Sequence, residues 1–219
     1  MIELNKYIEH TNLKPDCSVS DIKKLCRSAI EYNFFGVCVN PCHTRIAKKF
    51  IADRDIKIIT VVNFPLASNT IETTLMQTQR ALDDGADEID TVINLPAFKS
   101  KYYQKVYDDI YKTKELCANH NLKVILETDL LTQQEIVTAS KLAAEAGANF
   151  VKTSTGFVKN GVGAKIEDVQ LMYDTVKPYG LQVKASGGIK DFDKAIELIE
   201  AGATRLGTSS GVEIMSKDE

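Results

Sequence analysis

The feature that most constrains the fold is a phrase repeated three times, in which a helix-like stretch passes through Gly-Ala into a strand-like run. It reads LDDGADEID at 82–90, AAEAGANFVK at 143–152 and LIEAGATRLG at 198–207. Glycine is favoured just past the end of a helix because that position needs a left-handed backbone. Each phrase therefore predicts a helix-to-strand corner.

The spacing of the corners predicts alternating strands and helices. Gly85, Gly147 and Gly202 are separated by 62 and 55 residues, which is about two β-α units of about 30 residues each. Thr132 and Glu135 form a capping box at the start of one helix. Apolar runs supply eight strand candidates. They are residues 8–12, 35–39, 56–62, 88–93, 122–127, 149–152, 181–184 and 204–207.

Eight such units fit either an open doubly wound sheet or a closed barrel, and periodicity does not separate the two. Unusual residues favour the barrel, because Asp90, Lys152 and Lys184 lie late in three different strands. In a barrel the active site collects at the C-terminal ends of the strands. The chain has 219 residues and no linker or composition shift. We therefore predict an α/β fold, a TIM (β/α)8 barrel, as a single domain spanning residues 1–219.

Composition argues against several classes of partner. The net charge of −3 offers no basic face, so we expect no nucleic-acid partner. No run approaches 18 apolar residues and the N-terminus lacks a signal-peptide core, so we expect no membrane association and a cytoplasmic location. Five scattered cysteines predict reduced thiols. Cys38, Cys42 and His43 lack the ligand set of a zinc site, so no metal is expected.

Three ionisable side chains at strand ends indicate carbonyl chemistry. Lys152 lies in FVKTSTGF, Lys184 in LQVKASGG and Asp90 in EIDTVIN. Burial lowers the pKa of a lysine, and repulsion between two lysines would lower at least one pKa, giving a neutral amine that can form a Schiff base. Asp90 would accept a proton, directly or through water, with the second lysine in the relay. Singly, each residue is more simply a strand cap or an ion pair; together they favour catalysis.

Glycine- and serine-rich turns follow the last two predicted strands. They read SGGI at 186–189 and GTSSG at 207–211. Backbone amides in such turns bind phosphate, and the last two loops of a barrel are a common place for it. One such turn alone is equally well explained by backbone requirements, whereas two in succession predict a phosphate site.

Other loops add candidates to the same mouth. Thr155 and Gly156 follow Lys152 and would approach a phosphate or orient the imine. Thr11 and Cys38 belong to the first two predicted strands and are placed to face the mouth. For Cys38, a buried and inert thiol is the simpler role.

At these motifs the chain resembles the 2-deoxyribose-5-phosphate aldolases, a family of class I aldolases with a TIM-barrel fold. The resemblance extends nearly end to end through EHTNLKP, VCVNP, TVVNFPL, EIDTVIN, LKVILET, VKTSTGF, VKASGGI and AGATRLGTSSG. It implies that Lys152 forms the Schiff base and that Asp90 and Lys184 relay protons. It also implies contacts with the substrate phosphate from Gly156, Gly187, Gly188, Ser209 and Ser210.

The resemblance implies reversible cleavage of 2-deoxy-D-ribose 5-phosphate into D-glyceraldehyde 3-phosphate and acetaldehyde, in deoxyribonucleoside breakdown, without a metal or organic cofactor. The expected partner is the phosphosugar substrate, and a homodimer is a candidate assembly. Two alternatives stay open: a Schiff-base, transaldolase-like enzyme acting on a longer sugar phosphate, and a phosphosugar-binding barrel without turnover. The chain departs from the family pattern at Glu9, where aspartate is usual, at Asn63, at Asp129 and in the 158–168 loop.

Overall fold

The structure is a computed structural model that describes residues 2–216, and across them eight parallel strands close into a barrel in chain order. The strands are β1 (Ile8–Asn12), β2 (Gly36–Val39), β3 (Lys57–Val62), β4 (Glu88–Val92), β5 (Asn121–Ile125), β6 (Phe150–Lys152), β7 (Gln182–Ser186) and β8 (Ala203–Thr208). The α-helices are α1 (Val19–Glu31), α2 (Thr44–Ile51), α3 (Ile71–Asp83), α4 (Leu95–Lys99), α5 (Tyr103–Cys117), α6 (Gln133–Glu145), α7 (Ile166–Val176), α8 (Phe192–Glu200) and α9 (Gly211–Met215). Short 3-10 helices cover Leu4–Tyr7, Pro41–His43, Thr128–Leu130 and Lys177–Tyr179.

The closed barrel confirms the predicted TIM (β/α)8 fold and excludes the open sheet. Closure is made by β8 and β1, whose parallel register sets Ile8 beside Leu206. All eight predicted strands are present, although β5 ends at Ile125. Glu127 lies past its end with a φ of 62°, which a strand does not accommodate. Of the predicted 1–219 domain, residues 1 and 217–219 lie outside the described range.

The predicted corners and cap are confirmed. Gly85, Gly147 and Gly202 have φ values of 95°, 82° and 107°, a region that favours glycine. At the start of α6 the Thr132 side chain accepts from the Glu135 amide, and the Glu135 carboxylate accepts from the Thr132 amide. Within residues 2–216, no helix combines the length and apolar character needed to cross a membrane.

Three apolar clusters of the described residues frame the barrel wall. The larger packs helices against the outer faces of the strands and includes Ile22, Val37, Val124 and Leu198. A smaller cluster belongs to the first three strands and their loops and contains Leu13, Cys38, Ile59 and Val61. A third cluster contains Ala67, Val92 on β4 and Ile125 on β5. Strands β4–β7 also carry buried charged side chains, and these form the candidate site.

Candidate active site

Asp90 on β4 is the centre of the buried charges. Its Oδ2 accepts from Lys152 Nζ at 2.8 Å and from Lys184 Nζ at 2.7 Å. Its Oδ1 accepts from Lys123 Nζ at 3.1 Å. The structure therefore brings together the three residues that the sequence singled out and adds a third lysine.

Strand register explains why these side chains meet. Asp90 pairs with Lys123 between β4 and β5, and Lys152 pairs with Lys184 between β6 and β7. Side chains alternate between the two faces of a strand, so residues in register project to the same face. Four neighbouring strands thus each contribute one charged group to one point inside the barrel.

Two further carboxylates complete the network on the side away from the cavity. Glu9 on β1 contacts Lys184 and lies with its Oε1 3.5 Å from Lys123 Nζ. Glu88 on β4 also contacts Lys123 and accepts from Asn121 Nδ2 at 2.7 Å. Three lysines are therefore matched by three carboxylates, as buried charges require.

The sequence prediction missed Lys123 and Glu88 and treated Glu9 only as a departure from the family pattern. A signal for Lys123 was present, because a lysine interrupts the apolar run LKVIL at 122–126. Side chains two residues apart share a strand face, so the sequence places Lys123 on the same face as the apolar Ile125. Glu9 carried no such signal, since its partner Lys184 is 175 residues away.

The network fixes the charge of its central members. Burial would raise the pKa of Asp90, but the three lysines hold it well below its ordinary value. Burial would lower the pKa of Lys184, but the Asp90 and Glu9 carboxylates outweigh that effect and raise it. Lys123 has a raised pKa for the same reasons. Repulsion between the lysines therefore does not lower the pKa of Lys184, because the Asp90 and Glu9 carboxylates outweigh it.

A cavity of about 570 Å³ opens over the C-terminal ends of the strands. Lys152 lines it and is 3% exposed, whereas Asp90 and Lys184 are fully buried and do not line it. Of the six networked charges in the described chain, Lys152 is the one that reaches the cavity. The other charges lie behind it as a buried support.

Seven of the predicted binding residues also line this cavity. They are Thr11, Thr155, Gly156, Gly187, Gly188, Ser209 and Ser210. Cys38 does not line it: the side chain is fully buried in the cluster with Leu13, Ile59 and Val61. Burial raises the pKa of the Cys38 thiol, which suits the inert role more than contact with substrate.

The loop after Lys152 is held by hydrogen bonds to Glu127 on one side and to Ser186 on the other. Thr155 donates its amide to Glu127 Oε1 at 2.9 Å, and its hydroxyl also bonds Glu127. Burial raises the pKa of Glu127. On the other side, Ser186 Oγ donates to the Ser154 carbonyl at 2.6 Å. These bonds hold the 153–155 backbone beside the Lys152 amine.

The described residues show no cluster of three or more His, Cys, Asp or Glu side chains arranged to hold a metal ion. All five cysteines are free thiols, with Cys42 exposed and Cys26, Cys38 and Cys117 buried. The hydrogen bond between Lys152 Nζ and Asp90 Oδ2 sets a buried amine beside an ionised carboxylate at the cavity.

Comparison with known proteins gives consistent results. A sequence model described as DeoC/LacD family aldolase matches residues 4–217. The deoxyribose-phosphate aldolase of Mycoplasma capricolum is 49% identical over 218 residues, covering 100% of this chain and 97% of the relative. That of Thermococcus kodakarensis is 48% identical over 217 residues, covering 97% and 96%. The solved deoxyribose phosphate aldolase of Aeropyrum pernix superposes with a TM-score of 0.89 at 31% identity, covering 98% of this chain and 90% of that one.

Proposed function

The chain belongs to the DeoC/LacD aldolase family, and from this we propose that it is a deoxyribose-phosphate aldolase. It is a lyase that reversibly cleaves 2-deoxy-D-ribose 5-phosphate into D-glyceraldehyde 3-phosphate and acetaldehyde, with Lys152 as the Schiff-base residue. The observation that carries the proposal is the position of Lys152, which lines the cavity while its Nζ lies 2.8 Å from Asp90 Oδ2. The amine faces substrate on one side and a proton acceptor on the other.

Imine formation uses the shared Asp90 oxygen. Lys152 attacks the substrate aldehyde as a neutral amine. Its hydrogen bond to Asp90 Oδ2 gives the departing proton a route, and Lys184 Nζ lies 2.7 Å from the same oxygen. The Asp90 and Glu9 carboxylates keep Lys184 a cation, and in this proposal it returns a proton, through the shared Asp90 oxygen or water, when the carbinolamine loses water.

Cleavage follows from the charge on the imine. The protonated imine draws electrons as the C2–C3 bond breaks, while a base takes the proton of the C3 hydroxyl. D-Glyceraldehyde 3-phosphate leaves, and the enamine on Lys152 is protonated at C2 and hydrolysed to acetaldehyde. Asp90 and Lys184, acting directly or through water, are the proton relay in this proposal. The imine itself is the electron sink, so the cleavage step calls on no metal or organic cofactor.

The glycine- and serine-rich turns would bind the phosphate end of the substrate. Gly187 and Gly188 follow β7, Ser209 and Ser210 follow β8, and all four line the cavity with Lys152. Glycine leaves the amide open to close approach, and serine adds a hydroxyl donor. The phosphate would thereby fix the sugar with its aldehyde toward the lysine.

The same proposal extends to cellular context. Free cysteines throughout the chain suit a reducing compartment, which supports a cytoplasmic location. The reaction would serve deoxyribonucleoside breakdown, because its substrate is a phosphate ester of the deoxyribose unit of these nucleosides. We further propose a homodimer, to be tested by light scattering.

The test is to incubate the protein with 2-deoxyribose 5-phosphate and borohydride and to map the modified peptide by mass spectrometry. We expect an ethyl-sized adduct on Lys152 and none in Lys152→Met. The matched control is Lys24→Met, because Lys24 borders the cavity but its side chain is 75% exposed and its contact with Asp21 is 3.8 Å long. This variant should keep the adduct.

Other outcomes would favour the alternatives. An adduct on Lys152 that remains larger than ethyl after long incubation would favour an aldolase for a longer sugar phosphate. Absence of any adduct, with phosphosugar binding intact, would favour a barrel that binds without turnover.

A further inference from the structure

We propose that Asp129 is a positioning residue for the phosphate end of the site. It would hold the loop at 158–164 against the Gly187–Gly188 turn and so set the preference for phosphorylated over unphosphorylated substrate. The inference rests on the proposed function and deepens it. Asp129 itself does not line the cavity, so it would act through the loop.

Asp129 is tied directly to the loop backbone. It lies in the 3-10 helix Thr128–Leu130, and its side chain is 9% exposed. Its Oδ2 accepts from the Gly163 amide at 2.9 Å, while its Oδ1 lies 3.9 Å from Lys165 Nζ. A hydrogen bond to an ionised acceptor is stronger than a neutral one, particularly when it is shielded from water.

The first half of the loop is shaped to fit this carboxylate. Asn160 has a φ of 60°, and the Gly161 amide donates to the Val158 carbonyl at 3.0 Å, closing a tight turn. A Cβ at Gly161 would lie 2.7 Å from Asp129 Oδ2. Glycine at 161 therefore leaves the space that the Asp129 carboxylate occupies.

The second half of the loop packs on the phosphate turn, backbone against backbone. Gly163 has a φ of 78°, and a Cβ there would lie 2.8 Å from Gly187 Cα. The Ala164 amide donates to the Gly187 carbonyl at 3.0 Å. A Cβ at Gly188 would collide with the Val162 carbonyl oxygen. Residues 162–164 thus form a close-fitting wall behind Gly187 and Gly188.

These contacts connect Asp129 to the cavity in two steps: Asp129 binds Gly163, and Gly163 packs against Gly187. Gly187 and Gly188 line the cavity on the far side of that wall. Removing the carboxylate would leave the Gly163 amide without its acceptor and loosen the wall. The turn would then need to be ordered when phosphate binds, which weakens binding. Lys152 and Asp90 belong to a separate hydrogen-bond network, so the chemical step should be preserved.

The experiment compares Asp129→Ala and Asp129→Asn with the wild-type protein on 2-deoxyribose 5-phosphate and on unphosphorylated 2-deoxyribose. For Asp129→Ala we expect KM for the phosphorylated substrate to rise roughly tenfold, the equivalent of about 1.4 kcal/mol. Its kcat, and kcat/KM for 2-deoxyribose, should stay within about threefold of wild type, well under that tenfold change. Asp129→Asn keeps an acceptor oxygen and should restore most of the affinity.

Asp168→Ala is the matched control. Asp168 Oδ2 lies 4.0 Å from the same Lys165 Nζ, but Asp168 makes no bond to Gly163 among the described contacts. The variant therefore removes a nearby charge without releasing the loop, and the preference for phosphorylated substrate should be unchanged. Thermal denaturation of each variant verifies that it is folded.

Equal loss on both substrates, or no loss on either, would overturn the role of Asp129. The same holds if Asp168→Ala changes the preference as much as Asp129→Ala does. Titration with inorganic phosphate separates this inference from the proposed function, since it needs no turnover. A wild-type protein that binds phosphate without cleaving substrate would contradict the proposed function alone, and weaker phosphate binding by Asp129→Ala would still support the inference.

Discussion

Lys152 and Asp90 meet across the barrel interior, with Nζ 2.8 Å from Oδ2, although the strands that carry them, β6 and β4, are separated by β5. Lys123, on the intervening strand, donates to the other oxygen of the same carboxylate. One aspartate is thus shared between a lysine that reaches the cavity and two lysines, Lys123 and Lys184, that are fully buried. Substitutions at Asp90 or at its buried lysines should therefore affect both catalysis and stability.

Asp90→Asn should abolish most of the activity while keeping the shape of the side chain. An amide neither accepts a proton nor balances the neighbouring ammonium groups, so we expect kcat to fall by about 10²–10⁴-fold. Steady-state cleavage of 2-deoxyribose 5-phosphate measures it. Asp109→Asn is the control, since Asp109 accepts from Asn94 at 2.9 Å outside the network. An Asp90 variant within threefold of the Asp109 variant would remove Asp90 from the relay.

Lys123→Met should destabilise the fold. Lys123 is fully buried and contacts Glu88 and Asp90. Its loss leaves Glu88 without a cation among the described ion pairs and removes one of the three lysines that bind Asp90. Removing one partner of a buried ion pair costs about 3–5 kcal/mol, and urea denaturation measures the change in the free energy of unfolding.

Lys48→Met gives the comparison for an exposed pair. Lys48 meets Asp87 at 3.4 Å with both side chains partly exposed, and such pairs contribute about 1 kcal/mol or less. If the Lys123 and Lys48 variants lost equal stability, the buried network would not be the source of the effect.

Stability should fall in alkaline solution because of Lys184. Its folded pKa lies above the ordinary 10.5, so its contribution is fully present below that pH and is lost as pH rises through the folded value. The opposite sign holds for Asp90, whose depressed pKa gives a contribution that is lost only in strong acid. Urea denaturation from pH 9 to above 10.5 should show a decline that is shallower in Lys184→Met. Parallel declines in the two proteins would contradict the assignment.

The sequence identified the residues whose position in a strand was unusual in itself. Lys152 and Lys184 end short apolar runs before hydroxyl- and glycine-rich turns, so their placement followed from the strand prediction. Lys123 lies near the start of the apolar run 122–126 and precedes no such turn, and its role depends on the β4–β5 register that sets it beside Asp90. Glu9 depends on closure of the barrel, which brings β1 to the network. The local pattern of residues along the chain does not contain the register between strands or the closure of the barrel.

In the loops too, contacts between residues distant in sequence could not be predicted. The corner glycines were predictable because a positive φ after a helix is a local requirement that glycine meets without steric cost. Asp129 was not interpretable from its neighbours, because its partner Gly163 is 34 residues away in a loop of irregular backbone. Cys38 was placed on the correct strand, but its position below the cavity depends on how Ile59 and Val61 fill the interior.

Gly202→Ala should be the more damaging of two glycine substitutions at positive φ. At Gly202, φ is 107° and a Cβ would lie 2.7 Å from Cβ and 2.8 Å from Cδ1 of Tyr173 on α7. Backbone strain of about 1–2 kcal/mol and overpacking of about 1–3 kcal/mol should add. Gly180→Ala is the control, because the φ of Gly180 is 75° but nothing lies within 4 Å of an added Cβ. It should therefore lose only the stability that backbone strain removes. Urea denaturation compares them, and equal losses would show that the Tyr173 ring moves aside and that the corner is constrained by its backbone alone.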